Sequence, residues 1–404
     1  MKRNYPCVYV TAKGERAARG GHPWVYAEEV TQIDGDYQNG ELVDVLTSKR
    51  KYLGTGFIND NSKILVRIIS RNTNDRFDRA FYERRVRYSL EYRKAVMGED
   101  FSCCRLIFGE ADCFPGLTVD RFNDVLVTQV LSLGIENIKD MLYGLLVAEL
   151  EKMGEHISAV YERNDVKIRE LEGMEQYKGF WSGASELSGV TEITENGLKF
   201  SVDYVNGQKT GFFLDQKYNR AAIRQIAKGR LVLDCFTHTG AFALNAAVAG
   251  AKLVNAVDIS ESAIEMTQNN ARLNGLTENM RFTCANVFDL LTELHKSGSS
   301  PYDFIILDPP AFTKSRSTVT DAFRGYKEIN LKAMRLLPRG GYLATCSCSH
   351  FMTETLFRQM LRSAAADADV SLRQIEARQQ SPDHPILWNV PETDYLKFYI
   401  FQVV

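Results

Sequence analysis

The 404-residue chain has little of what several common site classes require. No apolar run approaches the ~20 residues that a membrane-crossing helix needs, so no spanning segment is expected. Met1-Lys-Arg-Asn-Tyr-Pro-Cys7 has no apolar stretch behind it, and no secretory leader is expected. The eight cysteines lack regular spacing, which argues against a disulfide scaffold and fits a reducing cytoplasm. Adjacent Cys103-Cys104 and the more distant Cys113 make no zinc pattern, and no metal is expected. G-x-G-x-x-G is missing, as is G-x-x-x-x-G-K-[ST], so no phosphate cradle is indicated.

Net charge is also small, at −2, but it hides an asymmetry. Residues 1–94 hold 18 Lys and Arg against 12 Asp and Glu, whereas the remainder holds 31 against 39. A basic front on an acidic body points to contact with a polyanion such as RNA. The competing reading puts Arg76, Arg79, Arg84, Arg85, Arg87 and Arg93 on the solvated face of one helix.

What is present is organised around Leu231-Val-Leu-Asp-Cys-Phe-Thr-His-Thr-Gly240, followed by an alanine-rich segment. A buried strand ending in an acid and feeding a helix N-terminus is where open α/β sheets hold ligands. A loop with one glycine after an acidic strand end suits an uncharged or zwitterionic ligand, a character that S-adenosylmethionine (SAM) has. Leu253-Val-Asn-Ala-Val-Asp258 is a second strand ending in an acid, placed to take ribose hydroxyls. A helix from Ser260 to Asn274-Gly275, then Met280-Arg-Phe-Thr-Cys-Ala-Asn286 and Tyr302-Asp-Phe-Ile-Ile-Leu-Asp308, continue the alternation. Together they predict a doubly wound parallel sheet with its site at the carboxyl edge. Asp308-Pro-Pro-Ala-Phe312 stiffens the backbone beside Asp308 and leaves Phe312 free to stack on a flat ring. Gln216 and Arg220 are four apart and could clamp a carboxylate.

Ahead of that sheet, Val8–Val10, Glu41–Leu46, Tyr52–Ile58 and Lys63–Ile69 read as short strands of a small β-barrel-like module. Lys13-Gly-Glu-Arg16 and Arg19-Gly-Gly-His22-Pro-Trp24-Val-Tyr26 read as its punctuation, and Asn72-Thr-Asn-Asp75 as its exit. A middle α+β segment follows, with a turn at Pro115-Gly116, a helix near Ile138–Met153 and a strand at Ala159–Arg163. Trp181-Ser-Gly-Ala-Ser185 is its expected connector. The expected boundaries are 1–73, 74–187 and 188–404. Near the end, Thr345-Cys346-Ser-Cys348-Ser-His350 is a strand entering a thiol-bearing turn, and a thiolate is a natural nucleophile for carbon 6 of a pyrimidine.

Seven stretches taken together are more specific than any one. They are Gly21-His-Pro-Trp-Val-Tyr26, Glu110-Ala-Asp-Cys-Phe-Pro-Gly-Leu-Thr-Val-Asp-Arg121, Tyr161-Glu-Arg-Asn-Asp165, Gln208-Lys-Thr-Gly-Phe-Phe-Leu-Asp-Gln216, Leu233-Asp-Cys-Phe-Thr-His-Thr-Gly240, Asp308-Pro-Pro-Ala-Phe312 and Ser347-Cys-Ser349. On these the chain resembles, along nearly its whole length, the bacterial large-subunit ribosomal RNA cytosine methyltransferases of the I type. The resemblance implies a PUA domain, a central domain and a Rossmann-like class I SAM-dependent methyltransferase domain. It also implies SAM as donor, a cytosine of 23S ribosomal RNA as acceptor, and often a homodimer. By position Cys348 is similar to the nucleophile, Asp308 to the residue holding the base edge, Asp258 to the ribose acid and Asn286 to the adenine contact. Asn286 departs from the usual Asp, although its amide oxygen can still accept from an amine. Cys113 stands where a glycine is common. Gln216, Arg220, Asp234, Phe236, Gly240, Ile259 and Val287 are expected around the cofactor. Pro309, Pro310, Phe312 and Lys314 are expected against the base. Many relatives of this chemistry carry a second cysteine in the Asp308 motif, and this chain has none. The motif also resembles that of exocyclic-amine methyltransferases, so an enzyme acting on guanine or adenine is the first alternative. An RNA-binding assembly factor that holds SAM without using it is the second.

Overall fold

The computed structural model describes residues 4–183, 188–298, 300–313 and 315–404, which fall into two compact units. The first unit comprises residues 4–183, 188–193, 202–214 and 382–393, and so takes in both the expected front and middle segments. Six strands form its first sheet: β1 (Cys7–Val10), β2 (Trp24–Tyr26), β3 (Val30–Asp34), β4 (Leu42–Thr47), β5 (Tyr52–Ile58) and β6 (Ile64–Ser70), in the order β2-β6-β5-β4-β1-β3. Alternating apolar residues such as Val8, Val10, Val43 and Val45 face a common core, as strand periodicity requires.

Two stretches expected as punctuation are regular structure. Lys13-Gly-Glu-Arg16 lies in a helix, Ala12–Arg19, whose N-terminus is capped by the Thr11 hydroxyl accepting from Gly14 N. Gly14 is tolerated there because a Cβ would stand 3.2 Å from both Glu29 Cβ and Val10 Cβ. Trp24–Tyr26 is itself β2, paired with β6.

The second sheet of this unit runs β11-β10-β9-β8-β7, with β7 (Cys103–Phe108), β8 (Leu117–Phe122), β9 (Val125–Val130), β10 (Ala159–Asn164) and β11 (Tyr177–Ser182). The expected turn at Pro115-Gly116 joins β7 to β8, and the expected helix is Lys139–Lys152. Trp181 belongs to β11 rather than to a connector, and Ala184 and Ser185 lie outside the described residues. The arginine-rich helix, Arg79–Met97, is capped by Asp78. It is not simply a solvated face. Arg93 is wholly buried in a paired hydrogen bond to Asp112, and Arg87 pairs with Glu149. Arg76 precedes the helix.

A two-stranded sheet of β12 (Val190–Glu195) and β13 (Leu198–Asp203) forms where the chain passes between the units. The second unit is built on seven strands: β14 (Leu231–Cys235), β15 (Leu253–Asp258), β16 (Met280–Cys284), β17 (Phe304–Leu307), β18 (Tyr342–Ser347), β19 (Leu372–Arg378) and β20 (Lys397–Val403). Their order is β16-β15-β14-β17-β18-β20-β19, parallel except for β20, which is antiparallel to both neighbours. β14 leads out to β15 on one side and lies against β17 on the other, so the crevice of an open α/β sheet opens at its carboxyl end. β14, β17 and β18 are buried on both faces, which is why they read as continuous apolar runs. Among the described residues no helix is long and apolar enough to cross a membrane.

Candidate active site

At the end of β14 the chain makes a tight loop, with Phe236, His238 and Gly240 all at positive φ. Such backbone is costly for Phe and His and persists only where the surroundings hold it. Asp258, ending β15, supplies one brace, since its Oδ2 accepts from His238 N at 3.0 Å and its Oδ1 from Ser260 N at 3.0 Å. Gly240 supplies another. At φ +80° it starts the helix Ala241–Val248, and a Cβ there would meet Thr267 Cγ2 at 2.5 Å.

The expected cofactor residues ring this loop. Asp258 is half-buried and next to it Ile259 is 69% exposed, an apolar platform beside a carboxylate. Val287 is buried. Asn286 is exposed and caps the helix Val287–Lys296, its Oδ1 accepting from Phe288 N at 2.9 Å, which leaves one lone pair on that oxygen for an amine. Asp234 is fully buried. Its Oδ2 accepts the Thr237 hydroxyl at 2.6 Å, while Oδ1 has no hydrogen-bond partner among the described residues. Burial, with the nearby Asp308 charge adding to it, raises this carboxyl to about 7 against the pull of Thr237. An orphaned buried carboxyl oxygen invites a cationic donor. Acids around a platform fit SAM, whose ribose, adenine, ammonium and sulfonium would meet Asp258, Ile259 with Asn286, and Asp234 with Asp308.

The proposed clamp takes a different form. Gln216 Nε2 donates to Asp308 Oδ1 at 3.2 Å and lies 3.4 Å from Cys346 Sγ. Arg220 is buried with Nε and Nη2 on the two carboxylate oxygens of Glu195, at 2.6 and 2.8 Å. This pairing makes the Arg220 guanidinium a buried counter-ion of Glu195, with the Asp215 and Asp308 charges also acting on it.

Asp308 follows β17, directly across from β18. Leu307 pairs with Thr345, which brings Cys346 Sγ to donate to Asp308 Oδ1 at 3.0 Å. Burial raises the Asp308 carboxyl to about 6, opposed by the Cys346 thiol and reinforced by the Asp215 charge. The same burial pushes the Cys346 thiol well up, with Asp308 adding to the effect, so Cys346 is a protonated donor. Cys348 is differently placed. It lies just past the end of β18 and is half-buried. The turn carrying it is fastened on both sides, by Ser347 Oγ donating to Tyr326 at 3.0 Å and Ser349 Oγ donating to the Thr313 carbonyl at 2.8 Å. His350, beyond the turn, has a buried Nδ1 without a hydrogen-bond partner among the described residues.

Of the residues expected against the base, Pro309 is buried and Pro310 exposed. Lys314 lies outside the described residues. Phe312 is not free, because its ring packs on Tyr326 at 4.6 Å and Phe288 at 5.9 Å between centroids. Sequence reasoning missed Lys397, a buried lysine that opens β20 with Nζ on the carbonyls of Ser349 at 2.6 Å and Tyr395 at 2.8 Å. Its signal is a lone cation heading the apolar run Phe398-Tyr-Ile-Phe401.

A family model described as S-adenosylmethionine-dependent methyltransferase matches residues 105–401. The chain belongs to the SAM-dependent methyltransferases. A PUA-like domain model matches residues 8–71, across the first sheet. A protein of Pseudoalteromonas translucida, named ribosomal RNA large subunit methyltransferase I, is 38% identical over 98% of this chain and 99% of its own length. One of the same name from Erwinia tasmaniensis is also 38% identical, over 98% and 99%. The fold is that of a protein from Streptococcus mutans described as a SAM-dependent methyltransferase, with a TM-score of 0.82 at 21% identity over 98% of this chain and 100% of the other. A methyltransferase complexed with SAH superposes at 0.83 with the same identity and coverage. The methyltransferase assignment therefore rests on family and fold together, and the donor is SAM.

Proposed function

We propose that this methyltransferase forms 5-methylcytosine in 23S ribosomal RNA through a covalent bond between Cys348 and the base, in the cytoplasm and as a homodimer. The observation that carries the reading is the thiol-bearing turn at the sheet edge, a half-buried Cys348 two residues beyond the Cys346 that donates to Asp308, whose carboxyl is raised to about 6. The full-length relatives named for large-subunit ribosomal RNA support the substrate class. Cys348 Sγ, as thiolate, adds to carbon 6 of the cytosine and pushes an electron pair to carbon 5. Asp308 holds the base edge, and a carboxyl that titrates near neutrality can share its proton with ring nitrogen 3, drawing density away from carbon 6. Bound SAM supplies an electrophilic methyl group for carbon 5. Loss of the carbon-5 proton to a base then lets the bond from carbon 6 to Sγ break, which regenerates the thiolate.

The test is incorporation from methyl-labelled SAM into unmodified large-subunit ribosomal RNA, digested to nucleosides and identified by mass, with wild type beside Cys348→Ala. The expected result is 5-methylcytosine with the wild type alone. An N-methylated base in both samples would overturn the adduct chemistry and leave fold and donor standing. Light scattering of the purified protein at twice the monomer mass is the expected sign of the homodimer.

A further inference from the structure

The pairing of β18 with β20 has a chemical consequence at the site. Ser347, the last residue of β18, is opposite Lys397, the first of β20. The Lys397 side chain therefore runs along the edge where the Cys348 turn begins. It is only 6% exposed, and its Nζ donates to the carbonyls of Ser349 and Tyr395, the first belonging to the residue that follows Cys348. An ammonium has three donors. The third has no hydrogen-bond acceptor among the described residues, and Cys348 is the foremost ionisable group acting on this amine. We infer that Lys397 is a positioning residue for Cys348, holding the thiol-bearing turn by the Ser349 carbonyl and stabilising the thiolate through its charge.

The inference rests on the proposed role of Cys348 and deepens it. Other charges bear on the same spot. Asp394, ahead of β20, and Glu354, at the start of the helix Glu354–Asp367, also face Lys397, and Asp394 is in turn faced by His350. Tyr326, from the helix Val319–Leu336, and Cys346, from β18, face Cys348. The two carboxylates oppose thiolate formation, and the Lys397 charge opposes them. Burial lowers the amine to about 8, so it remains mostly charged at neutral pH.

The experiment is alkylation of Cys348 by iodoacetamide in the full-length protein, without RNA or SAM, followed by peptide mass across pH 5 to 10. In the wild type the midpoint is expected below the usual free-thiol value of about 8.5. Lys397→Gln keeps two N–H donors for the two carbonyls but removes the charge. It is expected to raise the midpoint by about one unit, slowing alkylation about tenfold at neutral pH. Lys397→Arg is expected to stay near the wild type. An unmoved midpoint in Lys397→Gln, or an equal rise in Lys397→Arg, would overturn the inference. If both variants failed to fold, a wild-type midpoint at or above about 8.5 would overturn it as well. Full methyl transfer by Cys348→Ala would instead sink the adduct reading, and the alkylation profile separates the two failures.

Discussion

Asp234, buried, and Asp308, half-buried, are two carboxyls raised to about 7 and about 6 within one crevice, and both would face a ligand that carries a net positive charge. A cation beside such a carboxyl favours its ionised form, so binding releases protons, and affinity climbs as pH rises through 6 and 7. Calorimetry is expected to show SAM binding more tightly at pH 8 than at pH 5.5, with a smaller change for SAH, which keeps the ammonium but lacks the sulfonium charge. Equal pH slopes for the two ligands would remove these acids from the sulfonium site. The sign for the empty protein is the opposite. A carboxyl whose folded value exceeds its unfolded value of about 3.9 keeps its contribution below that value and loses it as pH rises towards 7. Asp234→Asn is therefore expected to raise the Tm of the ligand-free protein at pH 8 and hardly at pH 4, and to weaken SAM binding at pH 8 far more than at pH 4.

At the level of elements, the loop after β14 depends on Gly240 for two separate reasons, its φ of +80° and the Thr267 methyl 2.5 Å from where a Cβ would lie. Gly240→Ala is expected to cost about 2 kcal/mol or more in urea unfolding. Adding Thr267→Ser removes the methyl and keeps the hydroxyl that donates to the carbonyls of His238 and Ala263. It should recover the steric part and leave the backbone strain. Much of this region was legible in the sequence, because a parallel strand buried on both faces is apolar throughout and its last polar residue marks the site. Asp258, Ser260 with its cap, and Asp308 stand where periodicity placed them. The rest depends on partners distant in the chain. Nothing local to Arg220 announces Glu195, nothing local to Phe312 announces Tyr326, and Gly14 reads as a turn until Val10 and Glu29 close around it. Lys397 becomes meaningful only through a strand register across fifty residues.

For the whole molecule, connectivity sets limits on dissection. The first unit recovers residues 202–214 and 382–393 after the chain has already entered the second. Asp383, from the later of these, accepts from Arg105 N at 2.8 Å through Oδ2, and its carbonyl accepts from the buried Arg93 at 3.0 Å. A fragment of residues 1–193 is thus expected to leave Arg93 and the β7 amide short of partners, and to melt well below the first unit of the intact protein in circular dichroism. An unchanged transition would show that these returning segments add nothing.

The position of β20 carries a lesson about timing. It fills the gap between β18 and β19, so during synthesis that gap stays open until residues 397–403 have left the ribosome. Cys348 and Lys397 cannot meet before then. On the inference drawn for Lys397, a half-made chain thus lacks the charge that favours the thiolate, and the strand that seals the sheet is also the one that arms it.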